Sequence, residues 1–120
     1  MASTPADVSI DRSRPAAAEP VAIGSTGELL RLVGDPMRAA ILQMLSGEQL
    51  CTCHLQEALG AKQTLVSHHL RLLREAGLVV GEPHGRFTYY RLAPHAFDSA
   101  RDALAGLADA ANRGLTRRPC

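Results

Sequence analysis

The sequence predicts a mainly α-helical fold carrying a two-stranded β hairpin, and three stretches carry that expectation. Over residues 64–76, Val66, His69, Leu70 and Leu73 recur at helical spacing and form an inward face. Gln63, Ser67 and Arg71 lie four residues apart on the opposite side, flanked by Thr64, His68 and Arg74. Beyond Gly77, which suits the left-handed position past a helix end, residues 78–80 and 87–92 are rich in β-branched and aromatic side chains and surround Pro83-His84-Gly85. Before the amphipathic helix, the turn Gly60-Ala61-Lys62 follows a short apolar segment at residues 54–59. Helix, tight turn, helix and basic-tipped hairpin make a winged helix-turn-helix, a form that presents one helix to a DNA groove.

Composition narrows the class further. With 120 residues the chain supports one small domain, and with 3% aromatics and no Trp its core is built from Leu, Val, Ile, Ala and Met. The formal net charge is only +1, yet residues 62–91 hold five basic residues against two acidic ones, a patch suited to phosphate. No apolar run is long enough to span a bilayer and no secretory pattern opens the chain. Three cysteines, an odd number, argue against a disulfide framework and for a reducing, cytoplasmic setting. No acid/base dyad, phosphate loop or nucleophile triad is visible, so a non-enzyme is expected.

In chain order, residues 1–22 contain Pro5, Pro15 and Pro20 and no sustained periodicity, which predicts a disordered or loosely packed arm. The folded domain is expected over residues 23–112. A short helix covers residues 25–33 and ends at Gly34. Asp35-Pro36 then supplies an N-cap and a first-turn proline, and Met37, Ala40, Ile41, Met44 and Leu45 follow as a buried face. In the third helix, residues 54–59, Leu55, Ala58 and Leu59 point inward. The final segment opens at Pro94, with Phe97, Ala100, Leu104, Leu107, Ala108 and Ala111 forming a long stripe of apolar and small residues. Its own copy in a homodimer is the economical cover, alongside packing within the chain. Residues 113–120 are expected to be a flexible tail.

The chain's most chemical feature is Cys51-Thr52-Cys53 at the start of the third helix. Unsatisfied N–H groups and the positive end of the helix dipole favour thiolates there, and thiolates select soft ions. The other reading is a pair of small buried hydrophobes. A Cys51–Cys53 disulfide is disfavoured, since one intervening residue strains the ring. His69 reads as a hydrogen-bonded core residue, while His68 faces out toward bases or solvent. At the hairpin tip His84 and Arg86 suit phosphate or the minor groove, and Tyr90 and Leu92 suit the hairpin core.

Four motifs in order carry a resemblance to a known family: Gly34-Asp-Pro-Met-Arg38, Leu50-Cys-Thr-Cys-His-Leu55, residues 66–78, and Gly85-Arg-Phe-Thr-Tyr-Tyr-Arg-Leu92. Over residues 28–112 the chain resembles the ArsR/SmtB family of metalloregulatory repressors, and the cysteine pair resembles its arsenic-sensing branch. The resemblance implies a homodimer that binds operator DNA and lets go when an inducer binds. Read onto this sequence, Gln63, Thr64, Ser67 and His68 would meet base edges while Arg71, Arg74 and Arg86 hold phosphates. As(III) or Sb(III), the implied inducer, takes three sulfurs. Cys51 and Cys53 match the first two cysteines of the branch's Cys-x-Cys-x-x-Cys pattern, but Gln56 stands at the third. The third ligand is then Cys120 of either protomer, a water, hydroxide or small thiol, or the ion is Cd, Pb or Zn with His54 as an extra ligand. A second departure is Lys62 and Thr64, where the family often has Ser at the cap and Pro shortly after. Three rivals remain: a thiol redox sensor of the same fold, with Cys53 oxidised; a dithiol enzyme, which lacks the Cys-x-x-Cys and βαβ pattern it would need; and a protein-interaction module without DNA, which the wing and the local basic balance argue against.

Overall fold

The computed structural model describes residues 23–120. The arm expected over residues 1–22 lies outside them. Five helices and three strands follow one another as α1 (Ile23–Val33), α2 (Pro36–Leu45), β1 (Leu50–Cys51), α3 (Thr52–Leu59), α4 (Gln63–Glu75), β2 (Val79–His84), β3 (Phe87–Leu92) and α5 (Asp98–Arg113). The chain divides into two compact units. One is Leu29–Ala96; the other, among the described residues, takes residues 23–28 together with Phe97–Cys120.

In the larger unit each boundary has a local cause. The Asp35 carboxylate accepts the N–H groups of Met37 and Arg38, both at 3.0 Å, and Pro36 occupies the first turn, so α2 starts where the cap chemistry puts it. The backbone N–H of Arg38 is the largest influence holding the Asp35 carboxyl below its ordinary range. At the end of α3, Gly60 takes the left-handed conformation (φ 62°), which turns the chain directly into α4. Helices α2, α3 and α4 pack on one another, and α4 also packs on β2. Ile41, Leu55, Val66, Leu70 and Leu73 form the fully buried centre. Met37, Ala40 and Met44 of α2 are half-buried around it.

The sheet departs from the two-stranded hairpin in one respect. Leu50 and Cys51 form a short third strand, giving the order β1-β3-β2, with Leu50 opposite Tyr90 and Cys51 opposite Tyr89. Helix α3 consequently begins at Thr52 rather than His54, and Cys51 is at once the end of a strand and the cap of a helix. Strand β2 also runs farther than residue 80 and reaches His84, so the turn shrinks to Gly85-Arg86. Pro83 is tolerated within it because β2 is an edge strand, where a missing N–H breaks no inner ladder. Gly81 sits opposite Tyr90, and a Cβ there would meet that ring at 3.0 Å. Ala58, expected inward, is exposed, because an eight-residue helix has one tightly covered row and Leu55 occupies it.

In the smaller unit, α5 runs from Asp98 to Arg113. Ala100 is buried, and Arg101 pairs with Asp98 and Asp102 at the surface. Leu104 and Leu107, part of the expected apolar stripe, are 46% and 65% exposed. Among the described residues no helix is long and apolar enough to cross a membrane.

Candidate nucleic-acid interface and thiol site

Helix α4 places its two faces as the spacing demands. Val66, His69, Leu70 and Leu73 are buried, whereas Gln63, Thr64, Ser67, His68, Arg71 and Arg74 are all exposed. The exposed row carries hydroxyl, amide, imidazole and guanidinium groups, the types that reach base edges and phosphates. His68 and Arg71, one turn apart, touch through Nδ1 and the guanidinium at 3.2 Å. Arg86 stands exposed in the two-residue turn of the hairpin, between His84 and Phe87, which are also exposed.

The buried side of α4 is tied down by a polar contact. His69 is 8% exposed, and its Nδ1 meets the Arg38 guanidinium at 3.2 Å. Arg38 Nε donates to the Leu32 carbonyl at 2.6 Å, so one side chain links the end of α1, the start of α2 and the middle of α4. Burial lowers the His69 pKa, and the Arg38 charge acts in the same direction against an opposing pull from Asp35. The neutral imidazole is therefore the working form, accepting at Nδ1. Arg38 stood in one of the sequence motifs without a role. Its partner is 31 positions away, so no local pattern could assign one.

At the junction of β1 and α3 the two cysteines part company. Cys51 is 5% exposed; Cys53 is open to solvent. The Cys51 backbone N–H donates to His54 Nδ1 at 3.1 Å, and Cys51 Sγ lies 3.3 Å from the same nitrogen. The His54 ring packs against Tyr89 (centroids 5.9 Å apart), and Tyr89 in turn meets His84 edge-on at 5.4 Å. Among the described residues no three His, Cys, Asp or Glu side chains are already gathered as a metal ion would need. Gln56, at the position of the missing third sulfur, is half-buried on α3. Cys120 is exposed in the other unit. The pair thus offers two sulfurs, with an imidazole nitrogen beside Cys51; a three-sulfur site needs a sulfur brought from elsewhere, and gathering Cys51, Cys53 and His54 on one ion needs a rearrangement at the start of α3.

Helix, left-handed glycine turn, second helix with a polar outward face, and hairpin define a winged helix-turn-helix protein. A family model described as "Bacterial regulatory protein, arsR family" matches residues 35–80, from the α2 cap to β2. The chain is 34% identical over 89 residues to the arsenic resistance transcriptional regulator ArsR1 of Pseudomonas putida, covering 73% of this chain and 70% of that one. It is 47% identical over 73 residues to the HTH-type transcriptional repressor SmtB of Mycobacterium tuberculosis, covering 61% of this chain and 54% of that protein. A crystal structure described as a possible transcriptional regulator for arsenical resistance superposes with a TM-score of 0.61 at 30% identity, over 73% of this chain and 96% of that one. The chain belongs to the arsR family of bacterial regulatory proteins. The relatives named are regulators of transcription rather than enzymes. The chain spans about half the length of the SmtB relative.

Proposed function

We propose that the chain is a metal(loid)-responsive transcriptional repressor that binds operator DNA as a homodimer and is released by trivalent arsenic or antimony. The observation that carries this reading is the position of Cys51-Thr52-Cys53 at the start of α3, the helix that packs on the recognition helix α4. Gln63, Thr64, Ser67 and His68 meet base edges; Arg71, Arg74 and Arg86 hold phosphates. Two copies of α4 enter successive major grooves about 34 Å apart. The exposed Leu104 and Leu107 of α5 supply apolar surface for the dimer. A DNA-binding role supports a cytoplasmic location.

For the inducer, Cys51 and Cys53 supply two sulfurs. Each As–S bond forms as a thiol displaces hydroxide from arsenous acid, the thiol proton leaving with that hydroxide as water. Cys120 of either protomer, or a small thiol or hydroxide, completes the set. Holding both cysteines on one ion distorts the first turn of α3, and α4 loses the support that sets its spacing. Such two-site couplings are worth roughly 1–3 kcal/mol, or about 5–150-fold in DNA affinity. A second reading is favoured by His54 Nδ1, 3.3 Å from Cys51 Sγ: a Cd, Pb or Zn site of two sulfurs and an imidazole.

The test titrates the reduced protein on its own promoter DNA with arsenite, antimonite, Zn and Cd, followed by fluorescence anisotropy. Wild type is run beside Cys51→Ser, Cys53→Ser and Cys120→Ser. Release by arsenite or antimonite that is lost in the first two variants supports the metalloid reading, and the third variant reports on the tail. Release by Cd or Zn alone selects the imidazole-containing site. Release by peroxide but by none of the ions makes the pair a redox sensor.

A further inference from the structure

The thiol site is attached to the hairpin as directly as to α4. Cys51 belongs to β1 and lies directly opposite Tyr89 of β3, and residues so opposed put their side chains on one face of the sheet. On that face the His54 ring, whose Nδ1 lies 3.3 Å from Cys51 Sγ, rests against Tyr89 at 5.9 Å. Tyr89 also meets His84 at 5.4 Å with the rings nearly perpendicular, an arrangement whose edge-to-face attraction depends on ring position. His84 is the last residue of β2 and is followed by Gly85 and Arg86 in the turn. A continuous run of contacts therefore leads from Cys51 Sγ through His54, Tyr89 and His84 to the hairpin tip.

From this juxtaposition we propose that Tyr89 is the positioning residue through which occupancy of Cys51 moves the hairpin tip, so that the wing as well as α4 is withdrawn from DNA. His54 Nδ1 serves two groups of Cys51 at once, its backbone N–H and its sulfur. When the sulfur takes an inducer atom that second contact is replaced, and the imidazole must reseat. Its ring cannot shift without disturbing the Tyr89 packing, and Tyr89 cannot shift without releasing His84. The contact between α3 and α4 carries no such chain of rings, so the two routes are separable by mutation. Tyr89 touches neither inducer nor DNA in this scheme; it acts through His54 and His84.

The inference rests on the proposed inducer response, and its test separates the two. Arsenite uptake is counted from the thiols protected against a disulfide reagent, and DNA affinity with and without saturating arsenite is read by anisotropy. Wild type, Tyr89→Phe, Tyr89→Leu and His84→Leu are compared as the ratio of the two affinities. Tyr89→Phe is expected to keep the wild-type ratio, because the ring stays. Tyr89→Leu and His84→Leu are expected to protect the same number of thiols as wild type while their ratio falls at least threefold toward one. Undiminished release in Tyr89→Leu overturns the proposal, and so does loss of arsenite uptake in that variant, which would make Tyr89 part of the binding site. Should Tyr89→Leu not fold, the exposed His84→Leu decides alone by the same ratio. A further readout needs no variant: the His84 ring resonances of the wild type shift on arsenite addition, and unmoved resonances at full thiol protection refute the route. Wild type that protects no thiols, or that stays on DNA, refutes the inducer reading itself.

Discussion

Replacing Arg38 with methionine keeps the aliphatic stem and removes the guanidinium that joins three elements. Two contacts go: the Nε–H bond to the Leu32 carbonyl at 2.6 Å and the contact with His69 Nδ1 at 3.2 Å. Bonds from a charged donor contribute roughly 1.5–3 kcal/mol each, and a buried acceptor left alone costs about 1–3 kcal/mol. The Leu32 carbonyl sits at a half-buried helix end where water can replace the donor, so its share is taken near the low end. His69 Nδ1, in a residue 8% exposed, has no such substitute. Together they predict a loss of about 2–4 kcal/mol, a large part of a small domain's stability. For a domain of this size that corresponds to a fall of roughly 10–25 °C in Tm. Urea and thermal melts followed by circular dichroism at pH 7 measure it. The His69→Leu background should absorb much of the cost, with a coupling of roughly 1–2 kcal/mol in the double-mutant cycle. An Arg38→Met variant within about 0.5 kcal/mol of wild type, or a full cost persisting beside His69→Leu, would refute the tether.

Three more outcomes follow from the same geometry. Because burial lowers the His69 pKa, the unfolded chain binds a proton there before the folded one does, so stability is complete above the ordinary value of 6.5 and falls as pH drops below it. Asp35, whose pKa is also lowered, adds a loss below 3.8; His69→Gln should flatten the Tm profile in the first window and leave the second. Gly81→Ala should destabilise by about 1–2 kcal/mol in urea melts, since the new methyl meets Tyr90 at 3.0 Å and Thr88 at 3.2 Å, and no change would mean the hairpin relaxes freely. Arg86→Ala should weaken DNA binding uniformly across sequences and reduce the slope of log affinity against log salt by roughly 0.9 per protomer, whereas an unchanged slope would remove Arg86 from the phosphate contacts.

What could be read from the sequence was what local chemistry fixes. Asp35-Pro36 start α2 because cap and proline act within one turn, and α4 shows its two faces because each turn repeats the pattern. Strand β1 escaped because two residues carry no period, and its existence depends on Tyr89 and Tyr90, some forty positions away. The unequal burial of Cys51 and Cys53 escaped for the same reason, since pairing with β3 is what turns Cys51 inward. His54 was named for its donor nitrogen, but its contact with Tyr89 depends on strand register. The third donor beside the cysteines was undecided in the sequence, because no residue of α3 other than Gln56 occupies the matching position.

The double membership of Cys51 in strand and helix sets an order in time. Cys53 stands in water, so a thiol-seeking reagent meets it at the diffusional encounter rate. Cys51 is reached only after β1 detaches from β3 or the first turn of α3 frays, and a ladder of two residue pairs opens far more readily than the hairpin beside it. Modification of the two thiols should accordingly be biphasic, the slow phase reporting the opening frequency of β1 rather than the chemistry of sulfur. Alkylation kinetics at increasing reagent concentration would display it as a plateau.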